Sequence, residues 1–412
     1  MERRNFLKTS VIGGISWMIL PSFLSSGEII RYRLGLDVAA KLFDGTKCWS
    51  HPRAGIIPAT GKKGFPRVVM TMNSLDLQGS DVFRGMFGLE TTDLGKNWST
   101  PSEIDSLKPR YEKIEGVERP VAVSDFWPDW HAPSKTLIGT GHTVVYTPDW
   151  KVTSPRPRHT SYSFYNTTTG TWNDWKKLQM PDEEKFYNSG AGCAQRFDLE
   201  DGSILLPISF KPDGKNSRVT VCRCRIEENN LIYTEHGTEL EINDNSRGLG
   251  EPSLTRFGGQ FFMTIRNDNR GFVARSNDGL HFEKYVPWMF DDGSELGSYN
   301  TQQHWVTHSD ALFLVYTRRG AGNDHVFRHR APLFMAQVDP EKLCVFRETE
   351  QILVPERGAR LGNFGVTEIS EKETWVTVSE WMQPEGVEKY GSDGSVFVAK
   401  IAWERINKYF QR

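Results

Sequence analysis

The sequence predicts an all-β fold, and three observations carry that expectation. Short runs rich in Val, Ile, Phe and Tyr recur along the chain, each bounded by Gly, Asp, Asn or Pro. No long amphipathic helical pattern follows the first 27 residues. Turn formers and aromatics are both abundant, with 37 Gly and 21 Pro beside 13 Trp, 12 Tyr and 24 Phe. Many short strands in a chain of 412 residues imply closure or radial repetition, because open strand edges invite aggregation.

From the N-terminus, residues 1–27 read as an export leader. Arg3 and Arg4 form a twin-arginine pair, followed by Asn5, Phe6, Leu7 and Lys8, and an uncharged, mostly apolar stretch runs from Val11 to Leu24. The layout resembles a Tat signal, which implies a periplasmic or secreted protein. A buried first helix and a permanent anchor are the alternatives, but the stretch is short of the roughly 20 residues of a membrane span. No stable span is expected in the mature form.

Residues 28–412 read as one domain, with no low-complexity linker to divide them. Strands are expected at Arg67–Met72, His142–Tyr146, Ser203–Ile208, Val219–Ile226, Gln260–Ile265, Ala311–Tyr316, Leu333–Val338, Thr374–Ser379 and Ser395–Ala402. The composition, 38% hydrophobic and 12% aromatic, excludes intrinsic disorder. Lys and Arg number 50 against 52 Asp and Glu, which argues against a nucleic-acid partner and leaves room for a local basic pocket. The five cysteines are odd in number in a large chain, so no disulfide framework is needed. The His304/His308 and His325/His329 pairs are too far apart on a strand, about 13 Å, to share one ion, so no metal is expected. No P-loop, dinucleotide fingerprint or G-x-S-x-G elbow is present, and no cofactor is expected.

Three turns repeat one idea. Thr91-Thr92-Asp93-Leu94-Gly95-Lys96-Asn97-Trp98 ends an extended run on an aromatic. Ser276-Asn277-Asp278-Gly279-Leu280-His281-Phe282 repeats it one residue shorter, and Tyr165–Trp172 is a degenerate third copy. The Asp or Thr side chain bonds the turn backbone, Gly supplies a positive φ, and the aromatic packs back between sheets. These turns resemble the Asp boxes of the sialidase (neuraminidase) superfamily, whose BNR repeats build β-propellers. The resemblance implies a sialidase-like, six-bladed β-propeller over residues 28–412. Arg31–Leu42 and Ser395–Trp403 are then placed to share a blade and close the ring.

The resemblance extends to residues that carry chemistry. His51-Pro52-Arg53-Ala54-Gly55-Ile56-Ile57-Pro58 loosely resembles the family's Arg-Ile-Pro motif, making Arg53 the candidate first arginine. Asp81, in Gly79-Ser80-Asp81-Val82-Phe83, stands where the family places its acid/base aspartate, and it equally suits a turn cap. Glu251-Pro252-Ser253-Leu254, a Gly turn and a strand ending in Arg266 form the best match. Arg330, in Arg330-Ala331-Pro332-Leu333-Phe334, is expected to open a strand as the third arginine does in the family, with Arg328 a near alternative on the same strand face. Guanidinium forks pair bidentately with carboxylates, so such a set would fix an anionic sugar in one orientation. Asp81 would protonate the leaving oxygen, with Glu251 the nucleophile or its partner.

One position departs from the family. Phe364 stands where the family's nucleophilic tyrosine is expected, which leaves Tyr390, Tyr299, Glu251 or a water to attack. His304 follows the polar Asn300–Gln303 loop and His131 lies in the aromatic Trp127–His131 loop, and both are candidate substrate contacts or alternative acid/bases. Trp127, Trp130 and Trp305 are expected in polar loops suited to sugar. The resulting expectation is an exported exo-sialidase-like glycoside hydrolase whose partner is a glycan or acidic-sugar glycoside. A uronate-acting lyase or glycosidase, or a non-catalytic glycan-binding propeller, is the alternative.

Overall fold

A computed structural model describes residues 28–410 apart from residues 80, 183 and 213, so the expected leader lies outside the described residues. The strands satisfy one another in six separate antiparallel sheets, which are the blades of a propeller. Blade 1 holds Lys47–Ile57, Arg67–Asp76, Val82–Thr91 and Ser102–Glu103. Blade 2 is built on Val117–His131, Thr136–Val145 and Thr160–Asn166. Blade 3 is built on Ser189–Gly190, Ile204–Phe210, Arg218–Glu227 and Asn230–His236. Blade 4 holds Gly250–Phe257, Gln260–Arg266, Phe272–Ser276 and Tyr285–Pro287. Blade 5 is built on His304–His308, Ala311–Tyr316, Leu333–Asp339 and Cys344–Val345. Blade 6 runs outward through Phe364–Ser370, Glu373–Ser379 and Ser395–Trp403, and Tyr32–Lys41 supplies its outer strand.

The expected closure is therefore present. Tyr32 lies opposite Trp403 and Lys41 opposite Ser395, in antiparallel register. The core is divided into wedges between neighbouring blades. Blades 1 and 6 share Ile56, Met70, Trp375 and Val398; blades 2 and 3 share Phe164, Ile204 and Leu206; blades 4 and 5 share Phe262, Trp288, Trp305 and Leu314. Each sheet is thus apolar on both faces, which explains why the middle strands read as nearly continuous hydrophobic runs.

The turns follow the expected chemistry. Asp93 Oδ1 accepts from Asn97 N at 3.0 Å, Thr91 Oγ1 accepts from Gly95 N at 3.0 Å, and Gly95 has φ 74°. Asp278 Oδ1 accepts from Leu280 N and His281 N at 2.9 and 2.8 Å, with Gly279 at φ 77° and Phe282 buried. All five cysteines are free and buried. Trp127, Trp130 and Trp305 depart from expectation: they lie within strands Val117–His131 and His304–His308, not in loops.

Candidate active site

The innermost strands of blades 1, 2 and 4 share a local irregularity. Ser50 pairs with Asn73 and Arg53 with Thr71, so His51-Pro52 faces a single residue. Ser124 pairs with His142 and Trp127 with Thr140, which sets Asp125-Phe126 opposite Gly141. Gly250 pairs with Arg266 and Ser253 with Thr264, which bulges Glu251-Pro252. Such bulges re-aim a side chain, and proline suits them because no ladder donor is needed there. Gly141 is required beneath one of them, since a Cβ there would lie 2.7 Å from Ser124 O.

The first residue of each bulge is left-handed: His51 has φ 53°, Asp125 50° and Glu251 44°. All three line one cavity of about 550 Å³, together with Asp81 (φ 57°), Cys193 (φ 61°) and Arg328 (φ 58°). Left-handed non-glycine residues cost of order 1–3 kcal/mol each and persist where surrounding structure over-determines them. Six such residues line this one cavity, so the fold concentrates backbone strain around it.

The cavity is cationic. Eight Arg and Lys side chains line it against four Asp and Glu. Arg266 pairs with Glu251 and donates to Asn300 Oδ1 at 2.6 Å. Arg247 forks onto Asp268, at 3.1 Å to Oδ1 and 2.9 Å to Oδ2 from its Nε. Arg330, only 6% exposed, donates to the backbone oxygen of Asn300, and Arg360 lies 4.6 Å over the Trp381 ring. Neither Arg330 nor Arg360 forms an ion pair among the described residues, and the Nε of each is buried without a hydrogen-bond partner. Burial first, and the neighbouring guanidinium of Arg266 next, push Arg330 down from its ordinary value. Phe83, Phe327 and Trp381 add apolar wall beside these charges.

The floor carries a second constellation. His51 Nε2 lies 3.4 Å from Asp125 Oδ1, and the His51 ring sits between Phe83 and Trp381 at 5.0 and 5.6 Å. Burial works against the Asp125 carboxylate, yet His51, Arg53, His142 and a hydrogen bond with Cys193 hold it down at about 2. Burial also pushes His51 down and His142 far down, so both imidazoles are neutral near pH 7.

The residues expected from sequence divide in two. Asp81, Glu251, Arg266 and Arg330 line this cavity together. The Asp81 segment is pinned: Tyr146 Oη donates to Asp81 O at 2.8 Å, and Gln383 Nε2 donates to Leu77 O and Gly79 O at 2.7 and 2.9 Å. Arg53 does not line it. Its side chain is wholly buried beneath the floor, donating to Asp125 Oδ1 at 3.1 Å and Gln302 Oε1 at 3.2 Å. His304 is also wholly buried, held by Ser253 Oγ at 2.7 Å between the Trp127 and Phe364 rings. His131 lies at the far end of its strand, bonded to Ser134 Oγ at 2.6 Å and to Gly202 O at 3.1 Å. Phe364 is buried, Tyr299 meets His329 Nδ1 at 2.7 Å, and Tyr390 stacks on His325, so no tyrosine lines the cavity among the described residues.

His51, Asp125 and His142 were not anticipated. A signal existed for His51: His51-Pro52 and Glu251-Pro252 are the same titratable-residue–proline pair at the same strand position. Asp125-Phe126 lacks the proline, and no pattern marks it. Further along the same inner strands a second cavity, of about 520 Å³, is lined by Trp127, Trp130, Trp305, Asp129, Arg196 and Glu368.

No protein-family model matches the chain, and no curated protein matches it in sequence. Solved structures do. A protein of unknown function from Dyadobacter fermentans is 12% identical with a TM-score of 0.59, over 90% of this chain and 99% of that one. Trypanosoma rangeli sialidase is 13% identical with a TM-score of 0.57, over 86% of this chain and 55% of its own. The Hadza microbial sialidase Hz136 is 11% identical with a TM-score of 0.56, over 87% of this chain and 66% of its own. The chain thus corresponds to little more than half of the trypanosomal enzyme. Likeness at this identity carries architecture, and the architecture is a sialidase-like six-bladed β-propeller.

Proposed function

We propose that the chain is an exported glycosidase that releases a terminal acidic sugar from a glycan. The observation that carries this reading is that Asp81, Glu251, Arg266 and Arg330 line one cationic cavity. The guanidiniums would take the sugar carboxylate. The Asp81 carboxyl would deliver a proton to the glycosidic oxygen as the bond to the anomeric carbon breaks. Glu251, or a water it activates, would then complete that carbon from the other side. Sialic acid is the first substrate to test, since the structural neighbours include sialidases. Export would follow from the twin-arginine leader at residues 1–27.

A second reading is favoured by one specific observation: neutral His51, backed by Asp125, lines the cavity and no tyrosine does. On a uronate, arginines that neutralise the carboxylate acidify the adjacent C–H. His51 would take that proton from C5 as the C4–O bond breaks, and the Asp81 carboxyl would protonate the departing oxygen, leaving a sugar unsaturated between C4 and C5. Turnover of 4-methylumbelliferyl sialoside and of uronic and keto-deoxy acid glycosides, followed by fluorescence and by ultraviolet absorbance of unsaturated product, separates the two. D81N and E251Q should each cut the rate at least a hundredfold with an unchanged circular-dichroism spectrum. No product from any acidic glycoside, with tight binding on a glycan array, would make the propeller a lectin instead.

A further inference from the structure

One wall of the cavity takes no part in that chemistry. Arg156 and Arg158 reach it from the connection between strands Thr136–Val145 and Thr160–Asn166 of blade 2, and Lys211 from the end of strand Ile204–Phe210 of blade 3. The segment is fixed in place: Arg158 N donates to Tyr187 O at 3.1 Å, and Ser189 N donates to Arg158 O at 2.9 Å. Gly190 lets the Arg158 stem pack closely, since a Cβ there would lie 3.4 Å from Arg158 Cγ and 2.7 Å from His142 Cβ.

The charges on this wall are uncompensated. Arg158 makes only long contacts, 3.4 Å to Ser209 Oγ and 3.5 Å to Ser209 O. The Nε atoms of Arg156 and Arg158 are buried without hydrogen-bond partners, and neither residue forms an ion pair among the described residues. The nearest carboxylates that act on Arg158 are Glu251 and Asp125, which are committed to Arg266 and to His51 with Arg53. The Nε of each is cut off from water, and Arg158 is pushed down by burial first and by its neighbour Arg156 next, so the pair opposes folding until an oxyanion reaches it. The wall of Arg266 and Arg330 has its own anion to receive, and it comes from blades 4 and 5, whereas Arg156, Arg158 and Lys211 come from blades 2 and 3.

We propose that Arg156, Arg158 and Lys211 form a second oxyanion subsite, so that the ligand is a doubly charged glycan. Its terminal sugar places a carboxylate on Arg266 and Arg330, and the adjoining sugar places a carboxylate or a sulfate ester on Arg156 and Arg158. This deepens the acidic-sugar reading above and rests on it. A cavity of about 550 Å³ is within the range that holds a disaccharide-sized ligand.

Calorimetric titration of the full chain tests it, with galacturonate, digalacturonate, and a galacturonate glycoside whose second sugar carries a sulfate ester in place of the carboxylate. At least one doubly charged probe should bind tenfold or more tightly than galacturonate, and which one does identifies the second group. That comparison uses the wild-type chain and survives a variant that fails to fold. R156Q and R158Q should erase the advantage of the doubly charged probe, whereas R330Q should weaken all three. Equal affinity for the three probes, or R158Q weakening all of them alike, overturns the second subsite and leaves the single-carboxylate reading standing. No binding of any probe, together with none of N-acetylneuraminate, overturns both.

Discussion

His51 and Asp125 hold the same position in equivalent bulges of adjacent inner strands, and there their side chains meet, Nε2 to Oδ1, at 3.4 Å. Neither residue would face the other in a regular ladder, where successive side chains alternate between faces. The extra residue in each strand turns both toward the cavity and leaves Arg53 directly beneath. The pair is therefore built by the backbone, and Arg53 supports it from below.

That support predicts how Arg53 behaves when changed. R53Q leaves the Asp125 carboxylate buried without its cation, a loss of about 3–5 kcal/mol for a broken buried pair. The expected result is a lower urea midpoint, with the KM of whatever protein remains folded little changed. A folded R53Q of wild-type stability whose KM rises tenfold would return Arg53 to the substrate.

The histidine predicts a pH profile. Burial lowers the His51 pKa, with Asp125 opposing in part, so the neutral base persists below the usual value of about 6.5. If His51 takes the substrate proton, the acid limb of kcat/KM falls with a midpoint below 6.5, and H51Q loses that limb together with the rate. A midpoint above 7 in the wild-type profile excludes His51 as the base.

A carboxyl in the second cavity predicts a stability profile. Burial first, and Asp129 next, raise Glu368 to about 7. Between its ordinary value near 4.5 and about 7, the folded chain keeps this proton while the unfolded chain loses it. Stability therefore declines as pH rises through that window and levels off above it. E368Q should match wild type at pH 4 and exceed it at pH 8 by about 3 kcal/mol, read as a Tm difference that opens with pH. Parallel Tm curves for the two proteins would show that Glu368 is solvated.

A glycine predicts a purely mechanical defect. A Cβ at Gly237 would lie 1.9 Å from Leu280 O and 2.4 Å from Leu280 C, both backbone atoms that no rotamer can move aside. G237A should destabilise the contact between blades 3 and 4 by about 1–3 kcal/mol, the usual cost of overpacking. Substrate affinity measured well below the Tm should be unaltered.

The outer and middle strands were legible in sequence because blades packed on both faces write apolar runs: all nine expected segments fall on strands. The innermost strands were missed. Lys47–Ile57, Gly250–Phe257 and His304–His308 carry buried polar residues, and the first two also carry bulges at the cavity; both break the two-residue alternation. The same physics governs the site. Glu251 and Arg266 stand on paired strands of one blade, so their spacing survives in the chain. Arg53 misled because its motif records a position in the strand, while the bulge at His51-Pro52 decides which side chain emerges. Asp125 and His142 also stand on paired strands of one blade, with Arg158 in the connection that follows, but no pattern in the chain marks any of the three.

The pairing of Tyr32–Lys41 with Ser395–Trp403 has a consequence for when the protein becomes whole. Strand Tyr32–Lys41 has no partner until Ser395–Trp403 has been made. Blades 1 to 5 can order as they appear, each from local hairpins, while the sixth waits on the most distant contact in the molecule. A chain broken off late in synthesis would carry five formed blades and two unpaired edges. The seam thus makes closure of the ring wait on the synthesis of Ser395–Trp403.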